Sequence, residues 1–337
     1  MRLATYNVEW FSNLFDEQDQ LLMDDGGSGR RDVTRAQQIE ALGVVFTAMD
    51  ADAVMVIEAP DNNRRHSSET ALLAFAEAFN LRTRAVAFGF TSDTQQEIAL
   101  LYDPDVLTVR HDPLGKETGG KGSSDSPRFD STFRIDLDVD ATEDLVQFSK
   151  PPLELAVTTK SGQKLRLIGA HLKSKAPHGA RTHDAVMRIS IANRRKQLAQ
   201  AIWLRSRISQ HLEQDTPLIL MGDLNDGPGL DEYEHLFGRS TVEIILGDDL
   251  YDPHARQALQ HCPGVAATTA RFRKHGQDSY FQALLDYIMI SPGLTEHDPV
   301  WRIWHPFDDG PCWNLPKLRN ALLAASDHFP VSLDIAI

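Results

Sequence analysis

Two continuous apolar runs, each ending directly in polar residues, restrict this sequence to few folds. Residues 54–57 precede Glu58, and residues 218–221 precede Gly222 and Asp223. Apolar runs of this length without polar alternation indicate strands that are covered on both faces. Gly222 allows the backbone to turn where the second run ends. The sequence therefore predicts sheets buried between other layers, with polar side chains at the strand ends facing a cleft.

The strand end at Asp223 carries the first candidate for chemistry. Asp223 and Asn225 are two residues apart, so in an extended chain both side chains project to the same side. Asp223 could take a proton from water, while the Asn225 amide could hold an oxyanion. The alternative is a simple turn, because Asp, Asn, Gly and Pro all favour turns. This motif alone leaves both interpretations open.

Two further strand ends carry oxygen-bearing side chains. Asn7 closes the first predicted strand, residues 2–8, as a cleft residue or as a simple strand cap. Glu58 follows a buried strand, where an ionised carboxylate is costly unless it is paired or bound to a metal. For Glu58 the alternative is a surface salt bridge.

A third strand end, after predicted strand 164–171, is basic. His171 is followed by Lys173 and Lys175, and imidazolium and ammonium groups both neutralise phosphate oxygens. The alternative for His171 is a core histidine with its hydrogen bonds satisfied. Residues 173–196 hold seven Lys or Arg against one acid, Asp184. The later part is expected to be a solvated helix face that includes Arg194, Arg195 and Lys196.

Charge and composition limit the possible partners. The 337 residues carry a net charge of −14, so the whole-molecule field repels nucleic acids and other polyanions. A phosphate-bearing substrate must therefore be captured by a local basic site or through a metal ion. No apolar run approaches the roughly 18 residues that cross a membrane. We expect a cytoplasmic monomer, or an exported protein if a leader has been removed. Cys262 and Cys312 are too few for a disulfide framework and favour free thiols, although one bridge stays open.

Two segments interrupt the alternation of helices and strands. Residues 115–127 are rich in Gly and Ser and predict a flexible insertion at about 111–130. Residues 301–325 contain Trp301, Trp304, Phe307 and Trp313 among glycine and prolines, and predict an irregular lid beside the cleft. These aromatic rings either stack on a substrate or, as we favour, anchor the loop. Helices are expected at 34–49, 69–80 and 232–237.

The last part of the chain contains an acid and a histidine that could form a carboxylate–imidazole pair. Asp286 lies inside an apolar strand and needs a partner, for which a histidine would serve. Asp327 and His328 precede the terminal strand.

Taken in order, these motifs resemble the endonuclease/exonuclease/phosphatase superfamily of metal-dependent phosphoesterases, which is related to pancreatic deoxyribonuclease. The resemblance implies an α/β (α+β) fold: a four-layer sandwich of two mixed, mostly antiparallel sheets with helices outside. It also implies one domain over residues 1–337. The motifs that carry it are Tyr6-Asn7-Val8-Glu9, Val56-Ile57-Glu58, Gly169-Ala170-His171-Leu172-Lys173-Ser174, Gly222-Asp223-Leu224-Asn225, Leu285-Asp286-Tyr287 and Ser326-Asp327-His328.

The resemblance also implies roles for individual residues. Glu58, with Asn7 and Asp327, would hold Mg²⁺ or Mn²⁺ through oxygen ligands. Asp223 would activate water and Asn225 would hold the phosphorane oxyanion. His328, held by Asp286, and His171 would neutralise the phosphate or assist the leaving group, with Lys173 and Lys175 as phosphate contacts.

The substrate is less constrained than the chemistry. Glu58 is followed by Ala59 rather than the Gln or Asn of many nucleases of the superfamily, and no Tyr is placed to contact the phosphate. A nuclease or small phosphodiesterase acting on nucleic acid or nucleotides is the first interpretation. The alternatives are a phosphomonoesterase acting on an inositol phosphate or phospholipid, and a binding module that has lost catalysis.

Overall fold

Two facing β-sheets form the centre of the protein. The computed structural model describes residues 1–337 except 93, 95, 138–142, 178, 181, 228–237, 261–265 and 275–278. The strands of the described part are β1 (Arg2–Asn7), β2 (Ala53–Ala59), β3 (Ala85–Phe88), β4 (Glu97–Tyr102), β5 (Leu107–His111), β6 (Phe133–Ile135), β7 (Asp144–Val146), β8 (Leu153–Thr159), β9 (Lys164–His171), β10 (Leu218–Asp223), β11 (Ala270–Arg273), β12 (Tyr280–Ala283), β13 (Asp286–Ile290), β14 (Val300–Ile303) and β15 (Val331–Asp334).

Each large sheet is mixed. One has the strand order β14-β15-β1-β2-β4-β3 and the other β13-β10-β9-β8-β5. The pairs β1–β2 and β9–β10 are parallel, and the other neighbours in these sheets are antiparallel. Two short ribbons, β6–β7 and β11–β12, complete the sheets of the described residues. The predicted sandwich of mixed, mostly antiparallel sheets is confirmed.

Helices cover the outer face of each sheet. Those of the described residues are α1 (Arg35–Met49), α2 (Ser68–Ala78), α3 (His183–Leu212), α4 (Thr241–Leu246), α5 (Pro253–Leu259), α6 (Gly310–Asn314) and α7 (Pro316–Ala325), with 3₁₀ turns at Phe11–Leu14 and Pro292–Glu296. Helix α1 begins where the sequence predicts, because Thr34 and Gln37 form a capping box. Among the described residues, no helix has both the length and the apolar character needed to span a bilayer.

The two apolar runs lie in interior strands of their sheets and are buried on both faces. Met55 and Ile57 of β2 pack against Ile219 and Met221 of β10 in the layer between the sheets. The alternate residues of the same strands face outwards, against α1, α2 and α7 on one side and against α3, α4 and α5 on the other. Burial on both faces is why these strands lack polar alternation.

Strand register brings the predicted polar residues to one end of the sandwich. Asn7 is paired with Ile57, directly before Glu58. Asp223 is paired with His171 on one side and with Asp286 on the other. Three residues that are far apart in sequence therefore lie side by side across three strands.

One of the two loop predictions needs correction, and the flexibility of the insertion at about 111–130 stays a prediction. Residues 301–325 are not an irregular lid: they include part of β14 and both α6 and α7, and α7 packs on α1. Trp304 is buried and its Nε1 donates to Ser332 Oγ at 2.9 Å. In the insertion, the carbonyl of Pro127 accepts a 2.9 Å hydrogen bond from Trp203 Nε1, which ties the end of that segment to α3.

Other predictions fall partly outside the described residues. The helix expected at 232–237 lies outside them, as does Cys262. Cys312 is a buried free thiol. The strand expected at 132–139 is present as β6, which is shorter than predicted.

Candidate active site

A single cleft collects the predicted site residues at the strand ends. Its volume is about 740 Å³, which is within the usual range for ligand pockets. Asp286 lies beside it, in contact with His328. The predicted residues that line the cleft are Asn7, Glu58, His171, Lys173, Lys175, Asp223, Asn225, Asp327 and His328.

Asp223 is the most enclosed carboxylate in the cleft. Its side chain is almost fully buried, and its Oδ2 accepts hydrogen bonds from Asn7 Nδ2 at 3.0 Å and Asn225 Nδ2 at 3.2 Å. Burial and the nearby Asp286 raise the pKa of Asp223 to about 7, although His328 and the amide hydrogen bonds oppose the shift. The carboxylate is therefore poised to exchange a proton near neutral pH.

Asn225 differs from its predicted orientation. Its backbone is in the left-handed region (φ 51°), so it does not continue the pleat of β10. Its side-chain Nδ2 donates to the Leu172 carbonyl at 3.1 Å as well as to Asp223. With both amide hydrogens directed to protein oxygens, Asn225 orients Asp223, and it would have to release one bond to hold an oxyanion.

Asp286 and His328 form the contact that the sequence predicts. His328 Nδ1 lies 2.7 Å from Asp286 Oδ2, and both side chains are buried. Burial by itself lowers the pKa of His328, but the charge and hydrogen bond of Asp286, together with Asp223, raise it well above its usual value. His328 therefore carries a positive charge at neutral pH and directs it into the cleft.

Glu58 occupies a strained position at a β-bulge. The register between β2 and β4 shifts after Ile57, and Glu58 has φ 61°, which is uncommon for a residue with a side chain. Gln96 Nε2 donates to its Oε2 at 2.5 Å. Burial raises the pKa of Glu58, opposed first by Lys150. The residue is thus a half-buried carboxylate that lines the cleft, and the alternative of a surface salt bridge is wrong.

Lys150 is a cleft residue that the sequence analysis missed. Its Nζ lies 3.2 Å from His171 Nδ1, and burial lowers its pKa, opposed by Glu58 and Asp223. Burial, with the charges of Lys150 and His328, lowers the pKa of His171 well below its usual value. His171 is therefore neutral, not the imidazolium expected, and Lys150 supplies the cation instead. The position of Lys150 could have been inferred from the strand order. Lys150 precedes β8, and the start of β8 lies beside the end of the antiparallel strand β9, where His171 is found.

Two basic side chains after β9 form ion pairs within the protein. Lys175 Nζ lies 2.6 Å from Asp226 Oδ1, and Arg194 lies 2.6 Å from Asp226 Oδ2. Arg194 is 1% exposed, so its assignment to a solvated helix face is wrong. Its neighbour Arg195 is half-buried and lies 3.3 Å from Asp144. Lys173 is half-buried and lines the cleft.

In the described part of the cleft, two sets of side chains could hold a metal ion. Asp223, Asp286 and His328 place ligand atoms within 4.8 Å of one another. However, the 2.7 Å contact between Asp286 and His328 is a hydrogen bond. The second set is Asn7, Glu58 and Asp327, and here Asn7 Oδ1 is buried without a hydrogen-bond partner among the described residues. An unpartnered buried oxygen in a cleft that also contains the carboxylates of Glu58 and Asp327 suits a hard cation.

Fold and site together define a metal-dependent phosphoester hydrolase of the deoxyribonuclease-like type. The sequence matches the endonuclease/exonuclease/phosphatase family over residues 4–328, and the chain belongs to this family. Members of the family are phosphoester hydrolases, so the interpretation as a binding module without catalysis is not supported.

Solved structures resemble this chain at low sequence identity. TDP2 from C. elegans has a TM-score of 0.50 and 14% identity, over 100% of this chain and 75% of that one. An endonuclease/exonuclease/phosphatase family protein from Bacteroides thetaiotaomicron has a TM-score of 0.50 and 14% identity, over 99% and 96%. A mannosyl-6-phosphatase from the same organism has a TM-score of 0.49 and 14% identity, over 100% of both chains. No curated protein matches the sequence.

Proposed function

We propose that this protein is a Mg²⁺- or Mn²⁺-dependent phosphodiesterase acting on nucleotides or short nucleic acid strands. The observation that carries the proposal is that the cleft combines ionisable and aromatic side chains. Asp223, Glu58, His171 and His328 supply the ionisable groups, and the rings of Trp10, Phe272 and Phe281 also line the cleft. Trp10 and Phe281 are exposed. Exposed aromatic rings beside a phosphate site suit a substrate in which a planar base is attached to the phosphate.

In this proposal Glu58, Asn7 and Asp327 hold the metal ion. The bound ion would polarise a phosphate oxygen and neutralise its charge. Glu58 supplies the half-buried carboxylate and Asn7 its unpartnered Oδ1. The Asn7 amide would thus connect the two functions, because its Nδ2 donates to Asp223 while its Oδ1 has no hydrogen-bond partner among the described residues.

The protein side chains would carry the proton transfers and charge stabilisation. Asp223 accepts a proton from the attacking water, and the hydrogen bonds from Asn7 and Asn225 fix the direction of its carboxylate. His328 presents a charged imidazolium that Asp286 orients, which stabilises the negative charge developing on the phosphate. Neutral His171 donates a hydrogen bond, and Lys150 and Lys173 attract the phosphate.

A phosphomonoesterase is the second candidate, and the distribution of charge favours it. The net charge of −14 opposes long polyanions, and Asp226 engages both Lys175 and Arg194. Few cations therefore remain along the cleft for a long phosphate backbone. Both candidates agree on a small number of phosphate contacts.

Metal dependence and substrate are tested together. We would assay bis-p-nitrophenyl phosphate, p-nitrophenyl phosphate, plasmid DNA and RNA with Mg²⁺, with Mn²⁺ and with excess chelator. We expect diester turnover that vanishes in chelator and returns with either ion. Undiminished turnover in chelator would contradict metal dependence. Turnover of p-nitrophenyl phosphate alone would contradict the assignment as a phosphodiesterase.

Glu58→Gln tests the metal ligands. Removing one carboxylate charge from the ligand set should weaken Mg²⁺ binding by about 10- to 100-fold, measured by calorimetry. Glu77→Gln, on the exposed surface of α2, is the matched control and should bind Mg²⁺ as the wild type does. If Glu58→Gln and the control bind Mg²⁺ equally well, the metal site would instead be assigned to Asp223, Asp286 and His328.

Salt dependence tests the length of the bound strand. Each phosphate that a cation neutralises contributes about 0.7 to the slope of log affinity against log salt for a single strand. With Lys150 and Lys173 as the main contacts, we expect a slope of about 1 to 2. A slope of about 5 or more would show an extended nucleic-acid interface instead.

A further inference from the structure

Arginines surround a second cavity that adjoins the active-site cleft. The cavity has a volume of about 360 Å³ and is lined by Arg30, Arg31, Arg271 and Arg273, with Tyr280 beside them. Glu9 and Asp327 line both this cavity and the cleft, so the two are neighbours across these acids. A concentration of guanidinium groups is notable in a chain with a net charge of −14.

Most charges around this cavity are already compensated. Arg30 forms an ion pair with Glu9 and donates from its other terminal nitrogen to the Leu323 carbonyl at 3.1 Å. Arg31 lies 3.2 Å from Asp32 on the surface. These two pairs account for two of the three acids that line the cavity.

Arg271 is the exception. Its guanidinium carbon lies 3.4 Å above the centre of the Tyr280 ring and 5.3 Å from that of Phe307. Its Nε is buried without a hydrogen-bond partner among the described residues, and no described carboxylate forms an ion pair with it. The Nε of Arg30, on the same cavity, is also buried without a partner in the described part of the chain. Buried donors without partners indicate an absent acceptor.

The conformation of Arg271 suits an anion that approaches the edge of the guanidinium. Stacking on aromatic rings holds the guanidinium by its face and leaves the N–H groups at its edge available for a phosphate. The strand that carries Arg271 is also held in place, because its backbone N donates to the Asp327 carbonyl at 2.7 Å and Ala270 bridges to His328. The guanidinium is thus positioned relative to the catalytic residues.

We propose that this cavity binds a second phosphate of the substrate, next to the one that is hydrolysed, with Arg271 as its principal contact. The proposal rests on the proposed nucleotide substrate and extends it, since successive phosphates are what a nucleic acid strand offers and a simple phosphomonoester lacks. The Glu9–Arg30 pair lies between the two sites and would separate the two phosphate groups.

The test compares ligands that differ by one phosphate. We would measure by calorimetry the affinities of thymidine 3′,5′-bisphosphate and of the two thymidine monophosphates, with Mg²⁺ and in an Asp223→Asn background that prevents turnover. We expect the bisphosphate to bind about 10- to 100-fold more tightly than either monophosphate, as a charge-assisted pair with arginine would give. Equal affinities for all three ligands would overturn the proposal.

Variants then assign the effect to Arg271. Arg271→Met and Arg271→Gln should each reduce the preference for the bisphosphate by at least tenfold. Arg256→Met is the matched control, because Arg256 also stacks on a tyrosine, at 4.9 Å from the Tyr251 ring, and lines neither cavity. It should keep the full preference. An unchanged preference in both Arg271 variants contradicts the proposal, whereas absent diester turnover in the substrate panel contradicts only the proposed function.

Discussion

Asp223 and Asp226 lie three residues apart after the same strand, yet their surroundings are opposite. Both are essentially fully buried. Asp226 accepts hydrogen bonds from Lys175, Arg194 and the Thr241 backbone N, each at 2.6 Å. Asp223 accepts its hydrogen bonds from the uncharged groups of Asn7 and Asn225. Burial raises the pKa of both carboxyls, but two cations reverse the shift for Asp226 and leave its pKa below the usual value.

The difference separates a carboxylate that stabilises the fold from one that is available for chemistry. Asp226 gains enough from its cations to remain ionised, and it links α3 to the loop after β10. Asp223 lacks a cation in direct contact, so its charge is costly until a metal ion or a proton arrives. The same difference explains why Lys175 and Arg194, predicted to face substrate and solvent respectively, both lie against Asp226.

The largest expected effect is on catalysis at Asp223. Asp223→Asn keeps the size of the side chain but removes the base, so diester turnover should fall roughly 10²- to 10⁴-fold. Because the carboxylate is not paired with a cation, the melting temperature should stay the same or rise. Steady-state kinetics and thermal unfolding measure both. If the variant is inactive because it is unfolded, Asp223 would stabilise the fold as Asp226 does, and the contrast between the two residues would be wrong.

Arg194→Met should mainly reduce stability. Removing one partner of a buried ion pair leaves Asp226 with Lys175 alone, which should lower the free energy of unfolding by about 3 kcal/mol. Urea denaturation measures the change. Arg195→Met is the neighbouring control, half-buried and paired at 3.3 Å, and should change stability by less than about 0.5 kcal/mol. Similar losses of stability in the two variants would show that the ion pair between Arg194 and Asp226 contributes no more than a surface pair.

The Asp286–His328 pair should behave as one unit. His328→Ala should lower turnover by roughly 10²- to 10³-fold, since it removes a positioned charge stabiliser. If Asp286 acts by orienting His328, adding Asp286→Ala should cost little more than His328→Ala alone. Rates for the two single variants and the double variant test this coupling. Losses that multiply in the double variant would give Asp286 a separate role.

The smallest effect is the response of metal-free stability to pH. Folded Asp223 keeps its proton up to about pH 7, while in the unfolded chain it loses it near pH 4. Its contribution is fully present below pH 4 and is lost as the pH rises towards 7. Asp252 and Glu97, whose pKa values burial raises to about 6 and about 7, act in the same direction.

Asp226 should show the opposite dependence. Its lowered pKa adds stability above about pH 4 that is lost only as the pH falls through the folded value. Denaturation curves at pH 5 to 8 without metal should therefore slope downwards in the wild type and less steeply in Asp223→Asn. Identical slopes in the two proteins would show that Asp223 does not titrate in this range.

The sequence by itself determined the architecture and most of the cleft. Continuous apolar runs before Glu58 and Asp223 predicted doubly buried strands because burial on both faces leaves no position for a polar residue. Asp286 inside an apolar strand predicted a histidine partner because an isolated buried charge is too costly. Local patterns of this kind are predictive because the type of each residue depends on whether its own position is buried or exposed.

Only the tertiary structure decided which charges meet. Arg194 has the sequence context of a surface helix residue, and it is buried because α3 packs its guanidinium against Asp226, which is 32 residues away. Lys150 enters the cleft because β8 runs antiparallel to β9, and its charge adds to the burial that lowers the pKa of His171. Arg271 reaches the cavity beside Asp327 through pairing of distant strands and loops. These contacts depend on long-range register and packing, for which side-chain order along the chain carries no direct signal.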